Sequence, residues 1–352
     1  MPLSKFLSEE RLQEILGNFG QLKVAVIGDL ALDIYWYADM TRAFLSRETP
    51  LHARPVVREA FSPGAGANVA HNLKTLGVGE VSVFSVLGKD WRQTLLSEVL
   101  TSFDIIAKHL IASPQRNTTA FIKPMLLGYD SEQEDARIDF ENDQPLPADL
   151  ETQLIDLIQQ HLPALDALLI ADQLDVHGII TARIREALNR LAGEHVNKIF
   201  VVDSRRRIGL FENMTLKPNW VEAALATDPD RDPRTLKPDE LDRIGKTLTE
   251  KTGRPAFITL SERGVLVCTE DEQQPIPAAP TQPPHDPVGA GDTFISALAA
   301  TLAAKASPWE AGAIANLAAA VIVEKLNQTG TASPDEILAR YQMATQTKDK
   351  QV

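Results

Sequence analysis

The residues with the most chemical potential stand together late in the chain, in the run Asp286-Pro287-Val288-Gly289-Ala290-Gly291-Asp292-Thr293-Phe294. Pro283, Pro284 and Pro287 keep the approach extended. The stretch from Phe294 to Ala304, rich in Ala and Leu, reads as helix. Gly289 and Gly291 remove side chains where the backbone must turn sharply or come close to something. The first N–H groups of a helix have no internal partner, and the helix dipole adds partial positive charge there. Such an end suits an anion, phosphate above all. Asp292 stands beside it. A carboxylate next to bound phosphate is repelled, unless its task is to take a proton from a hydroxyl that attacks the phosphoryl group. On spacing alone the same pattern also describes a capped helix whose acidic first turn favours the dipole.

Other residues fall where a ligand-binding α/β sheet would use them. Lys23-Val-Ala-Val-Ile-Gly-Asp29 reads as a buried first strand that ends in a polar turn, with Asp33 soon after. Ligands of open α/β sheets bind beyond the carboxyl ends of strands, so Asp29 and Asp33 are placed to accept hydrogen bonds from hydroxyl groups; on these residues alone, ordinary turn chemistry is the favoured explanation. Gly64-Ala65-Gly66-Ala67-Asn68 opens a helix, with small residues that allow close approach and an amide that both donates and accepts. Arg205, Arg206 and Arg207 follow a strand, Lys198 to Asp203, on the ligand side. They read either as a phosphate clamp or as a solvated cluster. Pro218 and Asn219 suit a strand-to-helix turn, with Glu222 placed for a capping box.

The elements that must position these residues alternate. Strands at 81–86, 105–110, 167–170 and 198–203 are interleaved with helices from about Trp91, at 150–161 and at 178–192. A further helix spans 240–252, and 256–268 reads as a hairpin with Gly264 in its turn. This order predicts a doubly wound, mostly parallel sheet with helices on both faces. Residues 34–61 and 117–127 are β-prone without intervening helices, so they fall outside that sheet, as a lid over the site or an extension for dimer contact. Arg137-Ile138-Asp139 is a short extended segment. Leu12, Ile15, Leu16 and Phe19 recur at helical spacing near the N-terminus.

The 352 residues carry 44% hydrophobic content, enough for a large core in one big domain or one and a half. A net charge of −13 argues against nucleic acid and anionic membrane as main partners. The one cysteine, Cys268, excludes an internal disulfide framework and suits a reducing cytoplasm. No apolar run reaches the length of a membrane span.

The run from Asp286 to Phe294 resembles the C-terminal signature of the ribokinase/PfkB family of carbohydrate kinases, and the resemblance extends over about residues 22–340. It implies a ribokinase-like fold with a β lid that often makes the dimer. It also implies ATP as co-substrate, Mg²⁺, and phosphoryl transfer to a sugar hydroxyl. The Gly289, Ala290 and Gly291 backbone would form the anion hole and Asp292 the catalytic base. Asp33 and Asn68 would hold the acceptor, with Asp29 and Gly64 beside them; Ala65 stands where the family has its second glycine. Asn219 and Glu222 are similar to the Asn-x-x-Glu motif that acts on Mg²⁺ through water. Lys217, Asn219, Thr259, Ser261, Gly264, Gly291 and Asn316 would line the nucleotide, Ser261 replacing a family glycine. Residues 327–332 would border the adenine. Ser46-Arg47-Glu48-Thr49-Pro50 and the ending from Lys325 to Ala332 are similar to bacterial heptose 7-phosphate kinases. That implies a heptose 7-phosphate acceptor and the kinase part without a nucleotidyltransferase domain. Other sugars, nucleosides, or a non-catalytic binding role are the alternatives, and an intact Asp292 argues against the last.

Overall fold

A computed structural model describes residues 3–326 and 330–346. In chain order its first half contains α1 (Glu9–Gly17), β1 (Lys23–Gly28), β2 (Leu30–Asp39), β3 (Phe44–Leu45), β4 (His52–Ala53), β5 (Val56–Ala65), α2 (Gly66–Thr75), β6 (Glu80–Gly88), α3 (Trp91–Ser102), β7 (Leu110–Ser113), β8 (Ala120–Leu127), β9 (Glu132–Glu134), β10 (Ile138–Phe140) and α4 (Ala148–His161). The second half contains β11 (Ala167–Asp172), α5 (Ala182–Glu194), β12 (Ile199–Ser204), β13 (Thr215–Leu216), α6 (Trp220–Thr227), α7 (Pro238–Thr252), β14 (Ala256–Thr259), β15 (Val265–Cys268), β16 (Gln273–Ile276), α8 (Ala290–Ala303), α9 (Pro308–Ile322) and α10 (Pro334–Gln346).

Nine strands form the main sheet in the order β16-β15-β14-β13-β12-β11-β1-β6-β7. Pairing is parallel from β14 to β7, and the hairpin strands β15 and β16 add an antiparallel edge. Alternation along β1 shows why both faces are covered. Val24 and Val26 join a core with α1, α2, α8 and α9, whereas Ala25 and Ile27 join a second core with α4, α5 and α7. Period-two side chains buried on both faces are what a parallel sheet between helix layers requires. The chain leaves β1 toward β6 and later returns to β11 on its other side. The carboxyl ends of β1, β11 and β12 therefore flank a topological switch point, where such sheets bind ligands.

A second sheet, in the order β10-β8-β2-β5 with β9 on β8, stands apart from the first. It takes in most of the expected segments, while β3 and β4 pair with each other in a separate two-stranded sheet. It also extends beyond them, since β2 begins at Leu30, β5 runs on to Ala65, and Ile138 to Phe140 is its edge strand. The strand expected at 105–110 begins at Leu110. Ile106 makes only a lone bridge to Ser82, because the chain turns between Ala107 and Leu110. The helix expected from 178 begins at Ala182, after a Thr181 cap, because residues 173–179 are held as a loop. Among the described residues no helix is long and apolar enough to cross a membrane.

Candidate functional site

A cavity of about 320 Å³ lies between the two sheets, beyond the carboxyl ends of β11 and β12 and against the N-terminus of α8. Three groups of residues build it.

The first is the α8 terminus. Gly289 takes a left-handed conformation (φ 80°) as the N-cap, which a side chain would strain, and helical residues begin at Ala290. The first bond of the helix ladder runs from Thr293 N–H to Gly289 O, so the amides of Gly291 and Asp292 precede it. The Ala290 N–H is instead donated to Pro287 O within the turn, which subtracts one amide from the expected anion hole. The Lys217 ammonium faces the same end, 3.6 Å from where a Cβ on Gly291 would stand. Asp292 presents its carboxylate to the cavity. Oδ2 accepts from Asn68 Nδ2 at 2.7 Å, and Oδ1 from Gln173 Nε2 at 3.2 Å. Thr293 Oγ1 donates to Asn72 at 2.6 Å and Ser296 Oγ to Val69 O at 3.0 Å, so α8 and α2 are fixed to each other beneath the Asn68–Asp292 contact. Burial pushes the Asp292 carboxyl up to about 6, and the charge of Asp203 adds to that, while the two amides and Lys217 pull it back.

The second group lies at the ends of β12 and β13. Lys217 Nζ donates to Asp203 Oδ2 at 3.0 Å, with both side chains largely buried. Burial opposes its charge, yet Asp203, Glu222 and Asp292 outweigh it and raise its pKa, so Lys217 is a fixed cation. Asn219 caps α6: its Oδ1 accepts from the Val221 and Glu222 amides at 2.9 Å each, and Glu222 Oε2 accepts from the Asn219 amide at 2.8 Å. The capping box read from sequence is therefore present, and Glu222 also lines the cavity. Burial pushes the Glu222 carboxyl up to about 7, with Asp203 adding to the push.

The third group comes from the outer sheet. Asp33 on β2 accepts from Lys123 Nζ on β8 at 2.8 Å, and Lys123 also donates to the Tyr35 hydroxyl at 3.2 Å. A Cβ on Gly64 would come within 2.7 Å of Asp33 Oδ1, so the glycine makes room for that carboxylate. Phe121 lies two residues before Lys123 on the same strand face, and the Arg137 guanidinium packs 4.5 Å over its ring. Ala65 forms the cavity wall next to Asn68, with φ 52° and ψ −133°.

Of the candidates read from sequence, Asp33, Gly64, Asn68, Arg205, Lys217, Glu222, Gly289, Gly291 and Asp292 converge on this cavity. Others do not. Asp29, 1% exposed, has its oxygens taken by the backbone amides of Gln173, Leu174 and Ile179, so it is not offered to a ligand. Arg207 is committed to Asp172, with Nη2 to Oδ1 at 2.5 Å and Nε to Oδ2 at 3.0 Å, and Arg206 to Asp175 at the surface. Neither lines the cavity, which leaves Arg205 alone of the three. Thr259 bridges Asn219 and continues into Ser261 and Gly264, so this loop borders the α6 cap rather than the cavity. Gly264 has φ 89°, and a Cβ there would meet Ile276 O at 2.2 Å. The Asn316 amide donates to Ile276 O and Pro277 O at 3.1 Å each, fixing α9 to β16. In the turn expected beside the adenine, residues 327–329 lie outside the described residues. Sequence reasoning missed Gln173, Lys123, Arg137 and Asp203 as cavity residues. A polar residue directly after a buried strand was the available signal for Gln173, and a carboxylate at the polar end of a buried strand that for Asp203.

Residues 21–336 match the family described as pfkB family carbohydrate kinase. The chain belongs to the pfkB family of carbohydrate kinases. It is an enzyme that transfers a phosphoryl group to a sugar hydroxyl. "Bifunctional protein HldE" of Trichlorobacter lovleyi is 29% identical over 98% of this chain, and that of Rhodopseudomonas palustris is 33% identical over 91%. The chain spans 68% and 63% of their respective lengths. Among solved structures, phosphofructokinase-2 from Escherichia coli has a TM-score of 0.69 at 17% identity, covering 92% of this chain and 99% of that one. Ribokinase from Thermotoga maritima has a TM-score of 0.64 at 21% identity, covering 91% and 99%. These likenesses show a ribokinase-like fold.

Proposed function

We propose that this pfkB kinase transfers the γ-phosphoryl of ATP to a hydroxyl of a sugar phosphate, a heptose 7-phosphate being the best candidate. The observation that carries the reading is the placement of Asp292 at the α8 terminus, in one cavity with Asn68 and Lys217. Asp292 takes the proton of the acceptor hydroxyl. Its position behind the helix terminus lets the Gly289 and Gly291 amides and the Lys217 ammonium meet the charge on the transferring oxygens. Asp33 and Asn68 orient the sugar.

Mg²⁺ fits the donors at Glu222. Burial, with the charge of Asp203 added, drives the Glu222 carboxyl up to about 7; a cation there would offset both, and Mg²⁺ favours oxygen ligands while keeping its waters. Asn219 and Glu222 would hold it through water. When bound, the metal neutralises phosphate charge. Among the described residues no group of three or more His, Cys, Asp or Glu could hold a metal, so its remaining ligands would be phosphate and water oxygens. The nucleotide would extend from Lys217 along the loop of Thr259, Ser261 and Gly264 toward Asn316.

A phosphorylated acceptor is supported by the cations of the cavity wall: Lys123, Arg137 and Arg205, in addition to Lys217. By extension of the β8–β10 register, Arg137 falls opposite Lys123. Lys123 is paired with Asp33 and Arg137 with Asp139, so an acceptor phosphate would share these cations with the carboxylates beside them. The exposed Phe44, Leu45, Val56, Val57 and Ile138 on the outer sheets suit a homodimer through the lid. The buried, single Cys268 suits a reducing cytoplasm.

The test is ATP consumption over a panel of sugars and their phosphates. Phosphorylated acceptors should be preferred about tenfold or more, the size of one charge-assisted contact. Arg137→Met should collapse that preference, whereas Arg206→Ala should retain it. Equal use of free and phosphorylated forms would remove the heptose-phosphate reading and leave the sugar kinase.

A further inference from the structure

Each oxygen of Asp292 takes one amide donor, Asn68 Nδ2 on Oδ2 and Gln173 Nε2 on Oδ1. Asn68 stands on the first turn of α2, a rigid support. Gln173 stands on a strap, residues 173–181, that leaves β11 without regular structure. Yet the strap is tied down from behind. Asp29 accepts the Gln173 and Leu174 amides at 2.8 Å each and the Ile179 amide at 2.6 Å. Arg207, paired with Asp172, donates to the carbonyls of Leu174 at 2.6 Å and Asp175 at 3.0 Å. Arg116 donates to His177 O at 2.7 Å. Buried charges are costly unless they are hydrogen-bonded, and a loop that only connects β11 to α5 needs none of them. What this support delivers to the cavity is Leu174 and, as its polar group, the Gln173 amide.

We propose that Gln173 is a positioning residue for the base. Together with Asn68 it fixes the Asp292 carboxylate in the orientation that receives the acceptor proton, and Asp29 and Arg207 serve the reaction by holding the strap that carries Gln173. This rests on the reading of Asp292 as the base. The chemistry favours an amide at this place. N–H donors stabilise the ionised carboxylate against burial and against the charge of Asp203. A second ammonium beside Lys217 would do so too strongly and leave a poor base. Asp33, Glu222, Lys123, Arg137 and Arg205 are the other charged groups around the cavity.

The experiment is the pH profile of kcat/KM for Gln173→Met, which is close in size and has no donor, beside wild type, Gln173→Glu and Arg207→Lys, with melting temperatures throughout. The acid limb should move to higher pH by about one unit in Gln173→Met, the size of one lost charge-stabilising hydrogen bond. It should move further in Gln173→Glu, where a second carboxylate faces Asp292. Arg207→Lys should move it the same way, and combining it with Gln173→Met should add nothing beyond the larger single shift. An unmoved limb in a folded Gln173→Met enzyme would overturn the proposal, as would a fully additive double variant. If Asp292→Asn retains the wild-type limb and turnover, the reading of the base fails instead, and the two failures are told apart.

Discussion

Ala65 is the N-cap of α2, with φ 52° and ψ −133°, a conformation that glycine adopts readily and alanine does not. Its neighbours cannot exchange with it. A Cβ on Gly64 would strike Asp33, and one on Gly66 would lie 2.8 Å from Asp29 O and 2.9 Å from the Ala171 Cβ. A non-glycine residue in such a region costs about 1–3 kcal/mol. Replacing it with glycine returns about 0.4–1 kcal/mol through the freer unfolded chain. Ala65→Gly should therefore stabilise the protein by about 1 kcal/mol net. For a chain of this length the entropy of unfolding is roughly 0.7 kcal/mol per kelvin, so the melting temperature should rise by about 1–2 °C. The same change removes a methyl group from the acceptor wall, so acceptor KM should shift while ATP KM should not. Differential scanning calorimetry with steady-state kinetics on one preparation reads all three quantities. A lower melting temperature would refute the strain argument.

The remaining expectations follow from the charges. Asp292 must be ionised to act as base, and its carboxyl is raised to about 6. kcat/KM should therefore fall as pH drops through about 6, and Asp203→Asn should move that limb to lower pH, because a neighbouring negative charge is removed; an upward shift or none would contradict this. Arg207→Ala leaves the buried Asp172 carboxylate unpaired, a loss of about 3–5 kcal/mol. It should show as a melting temperature lower by several degrees, and unchanged stability would contradict the pairing.

What the sequence disclosed depended on how local each arrangement is. The α8 terminus and the Asn219–Glu222 box are built from neighbours in the chain, so their residue types carry their geometry. Asn68 and Asp292 are 224 positions apart, yet each lies in a motif legible by itself. Lys123 and Arg137 had no such signature. On β-prone segments their spacing looks like ordinary alternation, and only the pairing of β8 with β2 and β10 turns them toward the cavity. Arg205, Arg206 and Arg207 formed one cluster in sequence. Which of them faces the ligand depends on Asp172, more than 30 residues away, and no local pattern encodes that contact. Asp29 was legible as a strand-end carboxylate, but its partners come from a loop about 145 positions on, which turns an apparent ligand residue into a support.

The central claim is that Asp292 removes the acceptor proton. Asp292→Asn keeps the shape and cannot take a proton. With the acceptor found in the panel, kcat should fall by about 10²–10⁴-fold. ATP affinity should be retained or improved, since the α8 terminus and Lys217 remain and a negative charge beside the phosphate is gone. If the aspartate only favours the helix dipole, the change costs about 0.3–1 kcal/mol of stability and leaves kcat near wild type. Near-wild-type turnover in this variant, with ATP affinity and melting temperature measured alongside, would contradict the mechanism.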